Sequence, residues 1–262
     1  MSQFQFQTVS NIISGIGSIQ ELRQILAERQ FKQVLLVTDP GMVANQLHTP
    51  ILEILENTKT PYVIYADVQA DPPEHIVLTA VEFAKEHQVD AVIGFGGGSS
   101  LDVAKVIAIL ADPKQTQNIQ EIYGVNNAKT QRLPLIVIPT TAGTGSEVTP
   151  ISIVTTGETT KTGIVSPVLY ADVAILDANF TLGLPAHITA ATGIDAMVHA
   201  IEAYTSKIKK NFYADLLAKQ ALSLLNKNLK RVLQDGSDIE ARQNMLLGSM
   251  LAGQAFANAP VG

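Results

Sequence analysis

The sequence GFGGGSSLDVAK, at residues 94–105, contains the pattern that decides the fold. A buried, apolar strand pattern ends in closely spaced glycines, and a helical pattern begins near Ser99. Glycines allow backbone N–H groups to approach a phosphate closely, and a helix N-terminus adds partial positive charge. The segment therefore predicts a strand, a turn and a helix that could hold a pyrophosphate without a basic side chain. Its spacing is not the usual G-x-G-x-x-G, and a tight turn that binds no ligand is the alternative.

Outward from this segment, short β-branched runs alternate with amphipathic helical patterns from about Phe31 onward. This alternation is typical of a parallel sheet covered by helices. The predicted strands are FKQVLLVT, PYVIYADV, DAVIGFG and PLIVIPT, and the predicted helices between them include MVANQLHTPILEILE and PEHIVLTAVEFAKEH. After Thr149 the segments ISIVTT, KTGIVS and VLYADVAILD also have β character. A hairpin and a sheet edge both fit them, and the sequence does not decide their pairing.

Beyond Leu184 and Pro185 the strand patterns stop, and helical patterns follow at roughly residues 187–206, 211–233 and 238–257. We therefore predict an α/β domain over residues 1–183 and an incomplete helical domain over residues 184–262. The segment from Met245 to Val261 is strongly apolar, and the sequence ends at Gly262. We expect this segment to expose apolar surface unless a partner covers it, and we expect a homo-oligomer.

The composition argues against several classes of function. A net charge of −6 with only 16% charged residues disfavours a nucleic-acid partner, because phosphate backbones attract a concentrated Lys/Arg surface. No apolar run approaches the roughly 18 residues of a membrane helix, and the N-terminal residues lack the basic start of a signal peptide. We therefore expect a cytoplasmic protein. The absence of cysteine removes disulfides, thiolate catalysis and Cys-bound zinc, but oxygen and nitrogen ligands remain available.

Two further segments could contribute to a nucleotide site. Asp39 ends a predicted strand, where its carboxylate could bind a ribose and repel a 2′-phosphate, which would favour NAD over NADP. Asp before Pro-Gly is equally a simple turn residue. The segment PTTAGTGSEVT, at residues 139–149, either lines a nicotinamide or phosphate pocket or forms only a polar loop. Its hydroxyl-bearing candidates are Thr140, Thr141, Thr144 and Ser146. Glu147 caps a helix or lies near the substrate, and the sequence leaves both possibilities open.

One pair of side chains could bind a metal. Asp195 and His199 stand at positions i and i+4 of the predicted helix TGIDAMVHAIEAYTS, so their side chains lie on one face. Oxygen and nitrogen ligands suit Fe(II), Mn(II) or Zn(II). The pair is half of a metal site, and a purely structural Asp/His pair is the alternative. Glu202, one turn further, is predicted to lie on the helix surface or to support the site indirectly.

Together, GGGSSLDVAK, PTTAGTGSEVT and GIDAMVHAIEAY resemble the group III iron-containing alcohol dehydrogenase family in order and approximate spacing. The resemblance covers essentially the whole chain. It implies a Rossmann-like NAD domain and a helical domain in the dehydroquinate-synthase-like architecture, with cofactor and metal in the cleft between them. It also implies that small alcohols and aldehydes or ketones are interconverted by hydride transfer to or from the nicotinamide of NAD, with iron as a Lewis acid and without a protein nucleophile.

The same resemblance implies roles for individual residues. The residues implied to contact NAD are Asp39 at the ribose, Gly96, Gly97, Gly98 and Ser99 at the pyrophosphate, Thr140, Thr141 and Thr144 near the nicotinamide, and also Asp102 and Leu182. The family metal is held by one Asp and three His, of which Asp195 and His199 match the first two. The sequence ends before the other two, so we expect the isolated chain to bind metal weakly and to be inactive.

Two alternative functions remain open at this point. One is a zinc enzyme of the glycerol dehydrogenase or dehydroquinate synthase type, although the GTGSE motif argues against it. The other is a fragment that binds NAD but catalyses no reaction, because two of the implied metal ligands are missing. Measurement of NAD binding beside an activity assay separates an active enzyme from such a fragment.

Overall fold

A parallel sheet forms the centre of the α/β part of the computed structural model, which describes residues 3–260. In chain order the strands are β1 (Asn11–Ser14), β2 (Val34–Val37), β3 (Tyr62–Tyr65), β4 (Ala91–Gly96), β5 (Gly124–Val125), β6 (Leu135–Pro139), β7 (Ile151–Thr156), β8 (Thr160–Val165) and β9 (Val173–Leu176). Six of them pair in the spatial order β1-β9-β6-β4-β2-β3, with every pairing parallel. The strands β2, β4, β6 and β9 are buried at every residue, because helices cover both faces of the sheet.

Helices complete two apolar cores, one on each face of this sheet. The helices are α1 (Leu22–Arg29), α2 (Pro40–Ala44), α3 (Thr49–Asn57), α4 (Glu74–Glu86), α5 (Gly98–Leu110), α6 (Ile119–Ile122), α7 (Ala186–Thr205), α8 (Phe212–Gln234) and α9 (Ile239–Asn258). Alternate residues of a strand point to opposite faces. Accordingly, Val34 and Leu36 pack with residues of α1 and α3, whereas Leu35 and Val37 pack with residues of α4 and α5. Within residues 3–260, each helix is too short or too polar to span a membrane.

The three long helices that follow the sheet pack against one another. Their bounds differ by only one residue at each end from those predicted. Small residues bring the helix axes close together: a Cβ on Gly248 of α9 would lie 2.8 Å from Leu225 Cγ in α8. The predicted fold, a parallel α/β part followed by a helical part, is confirmed.

Three details of the predicted secondary structure were incomplete or wrong. The single helix predicted from Met42 is two helices, α2 and α3, because the chain turns at Gln46 with φ of 55° and restarts with Pro50 in the first turn of α3. Of the segments after Thr149, the first two form the antiparallel hairpin β7–β8, and the third supplies β9 to the main sheet. Strand β1 was not predicted, and it lies at the edge of the main sheet beside β9.

The expectation for the apolar segment that begins at Met245 was wrong over its described part. Met245, Leu246 and Met250 are buried, because α9 packs against both α7 and α8. Val261 lies outside the described residues. Large exposed apolar side chains occur instead along one face of α7, at Ile194, Val198 and Ile201.

The segment before β1 runs across to the last helix. The side-chain amide of Asn258 accepts a hydrogen bond from Gln7 N at 2.8 Å and donates one to Gln7 O at 2.8 Å. Gln254 Nε2 donates to Thr8 Oγ1 at 3.0 Å, one turn earlier on α9. The Tyr170 hydroxyl also donates to Gln7 O at 3.0 Å. This N-terminal segment therefore contacts both the sheet side and the helical side of the molecule.

Candidate active site

The carboxyl ends of three adjacent strands bring the predicted nucleotide residues to one edge of the sheet. Strands β6, β4 and β2 are neighbours and parallel, so the residues that follow them lie side by side. Asp39 follows β2, the glycine turn follows β4, and Thr140 follows β6. Thr140 N donates to Gly96 O at 2.9 Å and joins two of these segments directly. This edge of an open parallel sheet is where ligands bind in such folds.

The three glycines at the start of α5 have different surroundings. Gly96 has a φ of 145°, and a Cβ there would lie 2.6 Å from Ser100 Oγ. A Cβ on Gly98 would lie 2.8 Å from Thr144 Cγ2. Gly97 is different, because a Cβ there would meet only the Thr141 side chain, at 3.7 Å. The protein itself therefore requires glycine at positions 96 and 98, whereas the space beside Gly97 is open to a ligand.

Asp39 has a local role that leaves one of its oxygens available. Its Oδ1 accepts hydrogen bonds from Gly41 N at 2.9 Å and from Met42 N at 3.2 Å, so it caps the N-terminus of α2. Its Oδ2 lies on the side of the glycine turn, where Ser100 Oγ is 3.5 Å away. The capping contacts of Oδ1 fit the alternative of a turn residue, and Oδ2 faces the glycine turn, on the side of the predicted nucleotide site.

The loop after β6 lies between the glycine turn and the long helices. Thr144 packs against Gly98, and a Cβ on Gly143 would lie 2.7 Å from Thr192 Cβ in α7. Gly145 adopts φ of 63°, and a Cβ there would lie 2.7 Å from Gly253 Cα in α9. Two backbones therefore meet at this point without an intervening side chain. Leu182, which follows a short 3-10 turn, is 39% exposed and so remains accessible to a ligand.

Two hydroxyl groups near this edge lack partners within the described residues. Thr140 is buried, and its Oγ1 has no hydrogen-bond partner in the range 3–260. The same holds for Thr38 Oγ1, at the end of β2. Buried hydroxyl groups are normally paired, so these atoms fit a site that receives a polar ligand.

Asp102 belongs to a buried cluster rather than to the open space beside Gly97. Its carboxylate accepts hydrogen bonds from Ser146 Oγ at 2.5 Å and from Ile153 N at 2.9 Å. Lys105 Nζ lies 3.6 Å from the same carboxylate, and its side chain is 0% exposed. Burial raises the pKa of Asp102 and lowers that of Lys105. A direct contact between Asp102 and a cofactor remains a prediction.

Sequence reasoning missed the burial of this cluster. It gave Asp102 as an implied contact of NAD, assigned no role to Lys105, and left Glu147 undecided between a helix cap and a place near the substrate. Glu147 is 2% exposed in the 3-10 turn Ser146–Val148. Burial raises the pKa of Glu147 to about 7. The sequence signal that could have predicted this burial is that α5 is apolar on all sides, which is typical of a fully buried helix and therefore predicts a buried lysine.

Asp195 and His199 lie together on α7, as predicted. Their Oδ1 and Nε2 atoms are 3.7 Å apart, so both atoms could reach one cation. The His199 ring packs on Phe256 with 4.7 Å between centroids, and its Nδ1 has no hydrogen-bond partner among residues 3–260. Within that range no group of three or more His, Asp or Glu residues could hold a metal. The pair therefore fits half of a metal site, and Glu202 is exposed as predicted.

Comparisons with known proteins show the family to which this chain is similar. The family model for iron-containing alcohol dehydrogenase matches residues 10–178, and the model for the C-terminal part of the Fe-containing alcohol dehydrogenase family matches residues 189–262. Long-chain-alcohol dehydrogenase 1 of Geobacillus thermodenitrificans is 39% identical over 262 residues, which are 100% of this chain and 65% of the relative. Sulfoacetaldehyde reductase of Bilophila wadsworthia is 37% identical over 256 residues, which are 97% of this chain and 65% of the relative.

Solved structures show the same similarity. The crystal structure of 1,3-propanediol oxidoreductase superimposes with a TM-score of 0.94 and 33% identity, over 100% of this chain and 68% of that one. The crystal structure of sulfoacetaldehyde reductase from Bifidobacterium kashiwanohense, in complex with NAD+, superimposes with a TM-score of 0.90 and 28% identity, over 100% of this chain and 69% of that one. The chain thus spans about two thirds of the length of these proteins. Because the two family models together cover most of its residues, the chain belongs to the iron-containing alcohol dehydrogenase family.

Proposed function

We propose that this protein is an NAD- and iron-dependent oxidoreductase that interconverts small alcohols and aldehydes or ketones by hydride transfer. One observation carries the proposal. The loop after β6 contacts the glycine turn through Thr144 and contacts α7 through Thr192, one helical turn before Asp195. A dinucleotide held at the turn would therefore extend along this loop toward the Asp195 and His199 pair.

The proposed cofactor is NAD. Gly97 and Ser99 offer backbone at the N-terminus of a 13-residue helix, where a pyrophosphate is stabilised by N–H groups and by the helix dipole. Asp39 Oδ2 would accept hydrogen bonds from the adenosine ribose and would repel a 2′-phosphate. The hydroxyl groups of Thr140 and Thr141 would orient the nicotinamide side. A similar protein crystallised with NAD+ supports this assignment.

Asp195 and His199 would supply two ligands to iron. When bound, iron would act as a Lewis acid that stabilises negative charge on the substrate oxygen during hydride transfer. The comparisons support iron rather than zinc at the level of the family. Since a catalytic metal normally has at least three protein ligands, we expect Asp195 and His199 by themselves to bind iron weakly.

The division of the chain into domains is also a proposal. We place the α/β domain at residues 1–183 and the helical domain at 184–262, and the two family models, which end and begin at residues 178 and 189, support this division. We further propose a homo-oligomer, which sedimentation analysis of the purified chain would test.

The decisive experiment measures NADH binding, metal content and aldehyde reduction on the same purified chain. Saturable NADH binding that Gly97→Val abolishes would support the cofactor site. Binding without turnover in the presence of excess Fe(II) would favour a chain that binds NAD but catalyses no reaction. Absence of NADH binding by the folded chain would refute the proposed function.

A further inference from the structure

We propose that Lys105 is a positioning residue for the dinucleotide site, and that it acts through Ser146 and Thr144 without touching the cofactor. The proposal rests on the NAD site described above and adds to it a residue outside that site. Lys105 lies in the middle of α5, two turns after the glycines, with its side chain 0% exposed. A side chain so enclosed cannot reach a ligand bound at the sheet edge.

The hydrogen bonds of Lys105 connect α5 to the chain that follows β6. Its Nζ donates to Ser146 Oγ at 2.7 Å and to Ile151 O at 2.6 Å, with Thr149 Oγ1 at 3.5 Å. Ser146 Oγ in turn donates to the Asp102 carboxylate at 2.5 Å. Each polar hydrogen of the group therefore has an acceptor, and the ammonium has a carboxylate within 3.6 Å. A buried charge satisfied in this way fixes the relative position of the segments that supply its partners.

Ser146 connects the Lys105 side chain to the glycine turn. Its backbone N donates to Thr144 Oγ1 at 3.2 Å. The Thr144 side chain packs directly on Gly98, where a Cβ would lie only 2.8 Å from Thr144 Cγ2. A path of direct contacts thus leads from the ammonium through Ser146 and Thr144 to the backbone that would face the pyrophosphate. Loss of the ammonium should let Ser146 shift, and the Thr144 side chain that packs on Gly98 should shift with it.

The test compares NADH affinities of the whole chain by fluorescence titration. Lys105→Met keeps the length of the side chain but removes its charge and its hydrogen-bond donors. Ser146→Ala removes the hydroxyl group that accepts a hydrogen bond from Lys105. We expect each change to weaken NADH binding about tenfold, equivalent to about 1.4 kcal/mol. Lys85→Met is the matched control, because Lys85 lies exposed on α4 with only a surface pair to Glu82. This control should leave the affinity unchanged.

The double variant separates positioning from a general loss of stability. If Lys105 acts through Ser146, Lys105→Met should cause no further loss of affinity in the Ser146→Ala background, because contacting residues on one path are not additive. Circular dichroism and thermal unfolding confirm that each variant is folded at the assay temperature. Additive losses, or wild-type affinity in folded Lys105→Met, would overturn the proposal.

Three further outcomes are also decisive. If Lys105→Met does not fold, Ser146→Ala alone tests the path, and unchanged NADH affinity in that variant overturns it. If the unmodified chain binds no NADH, the proposed function fails and this inference fails with it. Binding that is insensitive to both substitutions refutes only the role of Lys105.

Discussion

Glu147→Gln should remove a pH dependence of stability that originates in the buried cluster. Glu147 is 2% exposed, and burial raises its pKa from 4.5 to about 7, while the nearby Lys105 ammonium opposes this rise. Between these two pH values the folded state keeps a proton that the unfolded state has released. The stabilisation is therefore fully present below pH 4.5 and is lost as the pH rises through about 7.

The magnitude follows from the difference between the two pKa values. At about 1.4 kcal/mol for each pKa unit, a rise from 4.5 to about 7 corresponds to roughly 3 kcal/mol of unfolding free energy. Gln has nearly the same shape as protonated Glu and cannot ionise. The variant should therefore not lose this stability as the pH rises. The difference in unfolding free energy between the variant and the unmodified chain should grow in favour of the variant from pH 5 to pH 8.

Urea unfolding at several pH values between about 5 and 8 provides the measurement. Glu82→Gln, which changes an exposed carboxylate on α4, is the matched control. Its unfolding free energy should depend on pH in the same way as that of the unmodified chain. Parallel profiles for Glu147→Gln and the unmodified chain would refute the reasoning. They would mean that Glu147 is ionised in the folded state throughout this range.

The remaining predictions concern the cofactor site and the contact between the loop after β6 and α9. Gly97→Val should leave the fold intact, because only Thr141 lies near, at 3.7 Å, yet it should abolish NADH binding in calorimetric titration; retained affinity would place the phosphate site elsewhere. Asp39→Asn keeps the cap of α2 but removes the charge, so the ratio of the affinities for NADH and NADPH should fall about tenfold. If this ratio is unchanged, Asp39 is only a turn residue. Gly253→Ala should lower the unfolding free energy by about 2–3 kcal/mol in urea titration, because its Cβ would lie 2.9 Å from Gly145 backbone; unchanged stability would show that these backbones separate easily.

Much of the fold could be predicted because its signals are long or repeated. The three helices after Pro185 have periodic patterns of 20 residues or more, and their bounds were accurate to within one residue. The meeting of Asp39, the glycine turn and Thr140 also follows from the sequence, since each ends a strand of one parallel sheet. Proximity of the Asp195 and His199 side chains required only helical spacing.

The remaining features depend on contacts between distant parts of the chain. Strand β1 has four residues and no clear alternation, and its partner β9 begins at Val173. The burial of Lys105 depends on Ser146 and Ile151, which reach it only after β6 returns the chain to α5. Helix α9 is buried because α7 and α8 cover it, whereas its composition alone suggested an exposed apolar surface.

The contacts of the N-terminal segment impose an order on folding during synthesis. Gln7 and Asn258 are 251 positions apart, so the ribosome must add those 251 residues after Gln7 before this pair can form. At about 5–20 residues per second, the wait is roughly 10 to 50 s, far longer than hairpin or helix formation requires. Strand β1 likewise has no partner until β9 has been translated. During this interval a nascent chain carries an unpaired edge strand, which a neighbouring nascent chain on the same messenger RNA could capture.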